Sequence, residues 1–166
     1  MRPPAVTTRV ARPSDAETIA RTMHLGIQTY AAFAPAGWTP RRPPHLVENL
    51  AEHLRSRHTW GLLADVAGEP AGHTLMFPDW QPGDGAYLSH LFTRPAWWGT
   101  GLAAWLHDAF IAEVRDRGYR TARLHTPAGH ARARRFYERR GWRENGESRV
   151  VEFPPNPLDI GYSLDF

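Results

Sequence analysis

The sequence contains no cysteine and no lysine. Without cysteine there can be no disulfide staple, thiolate nucleophile or zinc ribbon, and no covalent thioester chemistry on the protein. Without lysine, all 20 cationic side chains are arginine. GC-rich codon usage is the plain explanation; a choice of arginine for bidentate phosphate binding can hold only at individual positions. Long apolar runs are also missing, since no stretch approaches the roughly 18–20 residues of a membrane-spanning helix. The opening Met1-Arg2-Pro3-Pro4-Ala5-Val6-Thr7 lacks the apolar core of a secretory leader, so a cytoplasmic location is expected. Nine histidines are present. No H-E-x-x-H occurs among them, and His53 and His58 are spaced off one helical face, so no metal site is expected.

Excess charge is scarce as well. The pI is near 9.8, yet 20 cations stand against 17 anions and the formal net charge is only +3. With 42% hydrophobic and 22% charged side chains, the 166 residues have a globular composition and suit one domain over residues 1–166.

Along the chain, Thr7–Ala11 reads as a first strand. Ser14-Asp15-Ala16-Glu17 has the form of a capping box and predicts a helix to about Ala31, followed by a Pro- and aromatic-rich loop to Pro44. Leu46, Val47, Leu50 and Leu54 mark a second helix within His45–Arg57. Thr59–Val66, Ala71–Phe77 and Ala86–Thr93 read as strands, the first two joined by a turn at Ala67-Gly68-Glu69-Pro70. A longer connection over Asp79–Gly85 precedes the third of them. A helix over Gly101–Arg117, a strand over Thr121–His125 and a short helix over Ala131–Arg140 come next. Two strands, about Trp142–Val151 and Ile160–Phe166, complete the chain. The order β-α-α-β-β-β-α-β-α-β-β predicts an α/β (mixed α+β) sheet with helices on both faces, not a doubly wound nucleotide fold.

Trp98-Gly99-Thr100-Gly101-Leu102-Ala103-Ala104 lies between a strand and a helix. Glycines there let a ligand approach the backbone, and the free amides of a first helical turn suit a pyrophosphate. A plain tight turn would need the same glycines. Gly99-x-Gly101-x-x-Ala104 also fits the dinucleotide fingerprint G-x-G-x-x-G/A. No carboxylate stands about 20 residues on, however, and only Arg120 or Arg123 could serve a 2′-phosphate, as in an NADP-binding reductase. Further on, Ala133, Phe136, Tyr137 and Arg140 share a helical face at i, i+3, i+4 and i+7.

Together these segments resemble the GNAT-type N-acetyltransferases. Leu91 to Ala103 is similar to that family's L-x-V-x-P strand followed by R/Q-x-x-G-x-G/A, with Gly101 and Ala103 on the small positions and Trp98 where Arg or Gln is usual. His130 to Trp142 is similar to N-x-x-A-x-x-F-Y-x-x-x-G-F: Ala133, Phe136, Tyr137 and Gly141 match, Trp142 replaces Phe, and His130 stands at the Asn position. The resemblance covers about half the chain and implies a GNAT-like, mostly antiparallel central sheet. It also implies acetyl-CoA as co-substrate, with no metal. Its binding residues would be Leu91, Phe92, Thr93, Trp98, Gly99, Thr100, Gly101, Leu102, Ala103, Ala104, His130, Ala133 and Phe136.

The activity so implied is direct attack of an amine on the thioester, with no covalent enzyme species. A backbone amide around Leu91–Thr93 would serve the carbonyl oxygen, and Tyr137 would protonate the leaving thiolate. Many members carry a Glu on the fourth strand as base. Here Tyr87-Leu88-Ser89-His90 offers His90 as a base and Ser89 as holder of a water, with His73 a poorer candidate. The acceptor, a small-molecule amine, is expected to meet Tyr30, Phe33, Trp38, Trp80, Tyr87 and the segment Phe153-Pro154-Pro155-Asn156-Pro157. Asp79, Asp84 and Asp159 are acidic residues that could attract a cation there. Acetylation of protein N-termini is the near alternative. A non-enzymatic nucleic-acid module would rest on the arginines of 132–143, which Glu138 interrupts; neither nucleic acid nor membrane is the expected partner. Family members are often homodimers.

Overall fold

The computed structural model describes residues 5–79 and 85–166; Trp80 and Asp84, and with them most of the connection expected over Asp79–Gly85, lie outside the described residues. Its strands are β1 (Val6–Val10), β2 (Trp60–Val66), β3 (Glu69–Pro78), β4 (Gly85–Thr93), β5 (Thr121–Pro127), β6 (Arg143–Val150) and β7 (Leu158–Asp165). The helices are α1 (Ala16–Gly26), α2 (Leu46–Arg55), α3 (Leu102–Asp116) and α4 (Ala131–Glu138). Their order is the one expected from the sequence. The seven strands form one sheet in the order β1-β2-β3-β4-β5-β7-β6, and every neighbouring pair is antiparallel except β4 with β5.

The start of α1 departs from the sequence reading. No Ser14–Glu17 capping box forms: Pro13–Asp15 makes a 3-10 turn, and Asp15 instead accepts from the Arg12 amide at 2.8 Å and from both terminal nitrogens of Arg9 at 2.7 Å. An ionised carboxylate beside a guanidinium is a stronger local acceptor than a serine hydroxyl, and it draws the turn one residue later. The end of this helix also differs. After Gly26 the chain tightens into a 3-10 segment over Ile27–Ala32, in which Thr29 Oγ1 donates to the Gly26 carbonyl at 3.0 Å.

Apolar periodicity decides which faces are covered. Leu102, Leu106, Phe110 and Val114 repeat every four residues and are fully buried, so α3 lies along one sheet face. On the other face α1 and α2 bury Ile19, Ala20 and Leu50 against Leu63 and Leu75. Beyond β4 that second face carries mostly polar side chains on β5, β7 and β6.

Two irregularities shape the sheet beside β4. Leu75 pairs with His90 but Met76 pairs with Leu88, so Ser89 is an extra residue in β4. Such a bulge inverts the alternation of faces: Leu88 enters the core under α3, whereas His90 packs on Phe77 and Phe92 on the other side. Secondly, β4 and β5 pair only over Gly85–Tyr87 against Thr121–Arg123. Past Tyr87 the strands separate, and the edge of β4 that faces β5 has no ladder partner there.

Candidate active site

A cavity of about 310 Å³ opens where β4 leaves β5. One wall is the end of β4 with Ser89, Leu91, Phe92 and Thr93; the facing wall is α4 with His130, Ala133, Phe136 and Tyr137. Gly26, Thr29 and Tyr30 close it from the end of α1. Gly26 is required for that approach, since a Cβ there would lie 2.6 Å from the Phe92 ring.

The glycine turn adopts the conformation its sequence demands. Gly99 and Gly101 have φ of +78° and +88°, and no heavy atom lies within 4 Å of where a Cβ would stand on either. The first bond in α3 runs from the Trp105 amide to the Gly101 carbonyl at 3.0 Å, so the amides of Leu102, Ala103 and Ala104 have no partner in the helix. No side chain caps this end. It is an open set of donors at the positive end of a helix, which fits a pyrophosphate.

The residues around it have separate tasks. Thr100 Oγ1 donates to the Trp97 carbonyl at 2.8 Å and Trp98 Nε1 to the Thr93 carbonyl at 3.0 Å, tying the turn to the end of β4. Leu102 is buried in the core, so its side chain anchors the helix and only its amide can meet a ligand. Ala103 and Trp98 line the cavity; Ala104 lines a neighbouring groove of about 1010 Å³ between α3 and α4. Arg132, which the sequence offers only within the arginine-rich stretch 132–143, lines both spaces and holds its guanidinium 5.5 Å from the centre of the Trp98 ring.

Tyr137 lines the cavity from α4. Burial raises the pKa of its phenol, with Tyr30 and Tyr87 adding to the effect. The phenol keeps its proton at neutral pH. Tyr30 and Tyr87 also line the cavity and are likewise raised by burial. Phe33 and Trp38 lie behind Tyr30, at ring separations of 5.1 and 6.4 Å, and Phe153–Pro157 is not part of the lining.

His90 is placed differently from the sequence expectation. It lies outside the lining, its Nδ1 is 3.1 Å from His73 Nε2, and burial, with a smaller effect from His53, pushes its pKa down to about 4. The bulge that brings Ser89 to the cavity is what turns His90 away from it. In place of His90, the far end of the cavity presents His125, Arg149 and Asp159 from β5, β6 and β7. Asp159 entered the sequence reading only as one acidic residue among several; Arg149 and His125 did not enter it. Their one signal is alternation, which puts His125, Asp159 and Arg149 on the same sheet face, but the pairing of β5, β7 and β6 is invisible without the fold.

Arg123, considered for a 2′-phosphate, donates to Asp79 Oδ2 at 2.8 Å. In the arginine-rich stretch, Arg134 donates to Glu144 and Tyr162, and Arg140 lies over the Phe136 ring. Among the described residues no group of three His, Asp or Glu side chains is arranged to hold a metal ion, and no helix is long and apolar enough to cross a membrane.

The whole fold is shared with solved acetyltransferases. A GNAT-family protein from Desulfovibrio desulfuricans superposes with a TM-score of 0.73 at 23% identity, covering 97% of this chain and 99% of the other. The ribosomal-protein-S18-alanine N-acetyltransferase of Escherichia coli gives 0.71 at 21% identity, over 96% and 93%. The PaiA N-acetyltransferase of Thermoplasma acidophilum, solved in complex with coenzyme A, gives 0.65 at 14% identity, over 97% and 99%. No protein curated for function matches the sequence. The acetyltransferase (GNAT) family itself matches residues 26–142, which include the glycine turn, the cleft between β4 and β5, and the Tyr137 helix. The chain belongs to the GNAT acetyltransferase family.

Proposed function

We propose that this protein transfers an acetyl group from acetyl-CoA to the primary amine of a small molecule, with Tyr137 as the general acid. The observation that carries the reading is the cavity itself: one continuous space joins the edge of β4, the α3 turn and a buried, protonated Tyr137. Bound acetyl-CoA supplies an electrophilic thioester carbonyl and a thiolate leaving group.

The residues divide the remaining work. The free amides of Leu102, Ala103 and Ala104 hold the pyrophosphate, and Arg132 adds a cation beside it. Backbone amides on the unpaired edge around Leu91–Thr93 donate to the carbonyl oxygen, where negative charge develops. The Tyr137 hydroxyl gives its proton to the departing sulfur, a contribution of about 10²–10⁴ in rate. His130 ties α4 to the end of α1 through Thr29. The acceptor enters among Tyr30, Tyr87 and Tyr137, an aromatic surround suited to an apolar or aromatic body.

The first test is calorimetric titration with acetyl-CoA, with NADPH as the control, followed by thiol release in the presence of primary amines. Saturable binding of acetyl-CoA alone with amine-dependent thiol release is the expected result. Binding of NADPH in its place would refute the reading.

A further inference from the structure

Asp159 is the polar group of the cavity whose bonding is least complete. It is on β7, directly opposite Arg149 of β6 and Pro127 of β5. Its side chain is only 10% exposed, it belongs to the cavity lining, and its Oδ1 is buried with no hydrogen-bond partner. The other oxygen has Arg149 Nη2 at 3.7 Å, beyond hydrogen-bond reach, while that same nitrogen donates to the Tyr87 hydroxyl at 3.1 Å. A buried carboxylate oxygen left without a donor is costly, and binding sites are where such a cost is retained.

The surroundings define what would complete it. The charged side chains of the lining are Arg132, Arg149 and Asp159; Glu147 of β6 stands outside it, 3.6 Å from His125. His125 on β5 stays neutral because burial lowers its pKa, and Tyr30 and Tyr87 are phenols held protonated by burial. Arg132 stands at the Trp98 end, so the end that holds Asp159 has one carboxyl and one guanidinium beside the rings of Tyr30, Tyr87 and Tyr137. A cation carrying several N–H donors and an apolar body matches the unpartnered Oδ1 and those rings.

We infer that Asp159 receives the acceptor: its carboxylate binds the ammonium group of a primary alkylamine whose apolar body lies among Tyr30, Tyr87 and Tyr137, and accepts the proton that this group must shed. The inference rests on the acetyl-transfer reading above. The step balances: the amine nitrogen–carbon bond forms and the carbon–sulfur bond breaks. Of the three ammonium hydrogens one stays on the amide, one passes to Asp159 and then to water, and one replaces the proton that Tyr137 gave to sulfur.

Binding of phenethylammonium and of its neutral analogue 2-phenylethanol to the protein–CoA complex, measured by calorimetry for the unaltered chain and Asp159→Asn, tests this. The expected result is that Asp159→Asn weakens phenethylammonium binding by about tenfold or more, leaving CoA and 2-phenylethanol affinities unchanged. Absence of phenethylammonium binding to the unaltered complex, or equal binding by the variant, overturns the inference while leaving acetyl transfer standing. Failure of CoA itself to bind the unaltered protein overturns both. If Asp159→Asn does not fold, the Asp159 carboxyl carbon can be titrated by NMR in the unaltered protein. Bound phenethylammonium is expected to move its midpoint to lower pH, and an unmoved midpoint overturns the inference.

Discussion

His130 Nε2 lies 3.0 Å from Thr29 Oγ1, bridging from α4 to the 3-10 segment that ends α1. The ring's other nitrogen accepts from the Ala133 amide at 3.3 Å, which fixes the tautomer: Nδ1 is the acceptor, so Nε2 carries the hydrogen and donates to threonine. Thr29 passes the bond on to the Gly26 carbonyl. A relay of three hydrogen bonds thus ties the α4 wall to the end of α1 that closes the cavity. An asparagine, which the family usually carries here, could cap α4 but is shorter than the imidazole and would not span to Thr29.

The relay makes His130 and Thr29 energetically coupled. His130→Ala loses a helix cap and a half-buried bond, and should destabilise the fold by about 1–2 kcal/mol. A double-mutant cycle with Thr29→Val, read from urea unfolding, should return a coupling of roughly 0.5–1.5 kcal/mol. His130→Asn should restore the cap and leave that coupling near zero. Strict additivity between His130→Ala and Thr29→Val would show that the bridge contributes nothing.

Tyr137→Phe removes only the hydroxyl oxygen and keeps the ring in its contacts with Phe136, Trp142 and Tyr162. Affinity for acetyl-CoA should be retained while turnover falls by about 10²–10⁴. Steady-state kinetics with calorimetry on the same preparation separates these two effects. Undiminished kcat would remove Tyr137 from the mechanism.

In the proposed reading, Arg132 supplies the cation that Trp98 cannot. Trp98 cannot neutralise a phosphate, but its ring holds the Arg132 guanidinium beside the α3 turn. Arg132→Ala is therefore expected to raise the Kd for acetyl-CoA by about tenfold, the contribution of one charge-assisted contact. Acetyl-pantetheine, which has no phosphate, should bind the variant and the unaltered protein alike. An equal loss for both ligands would point to collapse of the wall and not to a lost phosphate contact.

Buried neutral histidines set the acid limit of stability. Burial holds both His90 and His107 at about 4, well below the ordinary 6.5. Between those values the unfolded chain binds protons that the folded rings refuse. Stability should therefore fall as pH drops through this window, by roughly 1.4 kcal/mol per pH unit for each ring, and His73, which burial lowers further, carries the fall on below it. Urea midpoints measured between about pH 7 and 4 should follow that slope, and His90→Gln should make it shallower. A flat profile would mean that the rings are hydrated and titrate normally.

Much of the fold could be read before any coordinates. The α3 stripe of Leu102, Leu106, Phe110 and Val114 is a local repeat, and the Gly99–Gly101 turn is demanded by backbone conformations that other residues rarely adopt. Tyr137 is singled out only by the resemblance, since helical spacing alone fits a core tyrosine equally; its motif with Ala133, Phe136 and Gly141 follows the glycine turn in the family's order. The start of α1 differs from the local pattern because two acceptors, Ser14 and Asp15, compete there, and Arg9 on β1 decides between them.

The sequence by itself determined the element order, the glycine turn and the face of α4 that carries Tyr137, because each depends on residues within a few turns of one another. Only the tertiary structure decided that Ser89 enters the cavity and His90 leaves it, and that Arg149, Asp159 and His125 meet opposite Tyr30. A bulge is a mismatch between two strands, and neighbouring positions on β5, β7 and β6 come from pairing segments far apart in the chain. Neither leaves a periodic mark in the sequence, because both arise from which edges meet when the sheet closes around its two layers of helices.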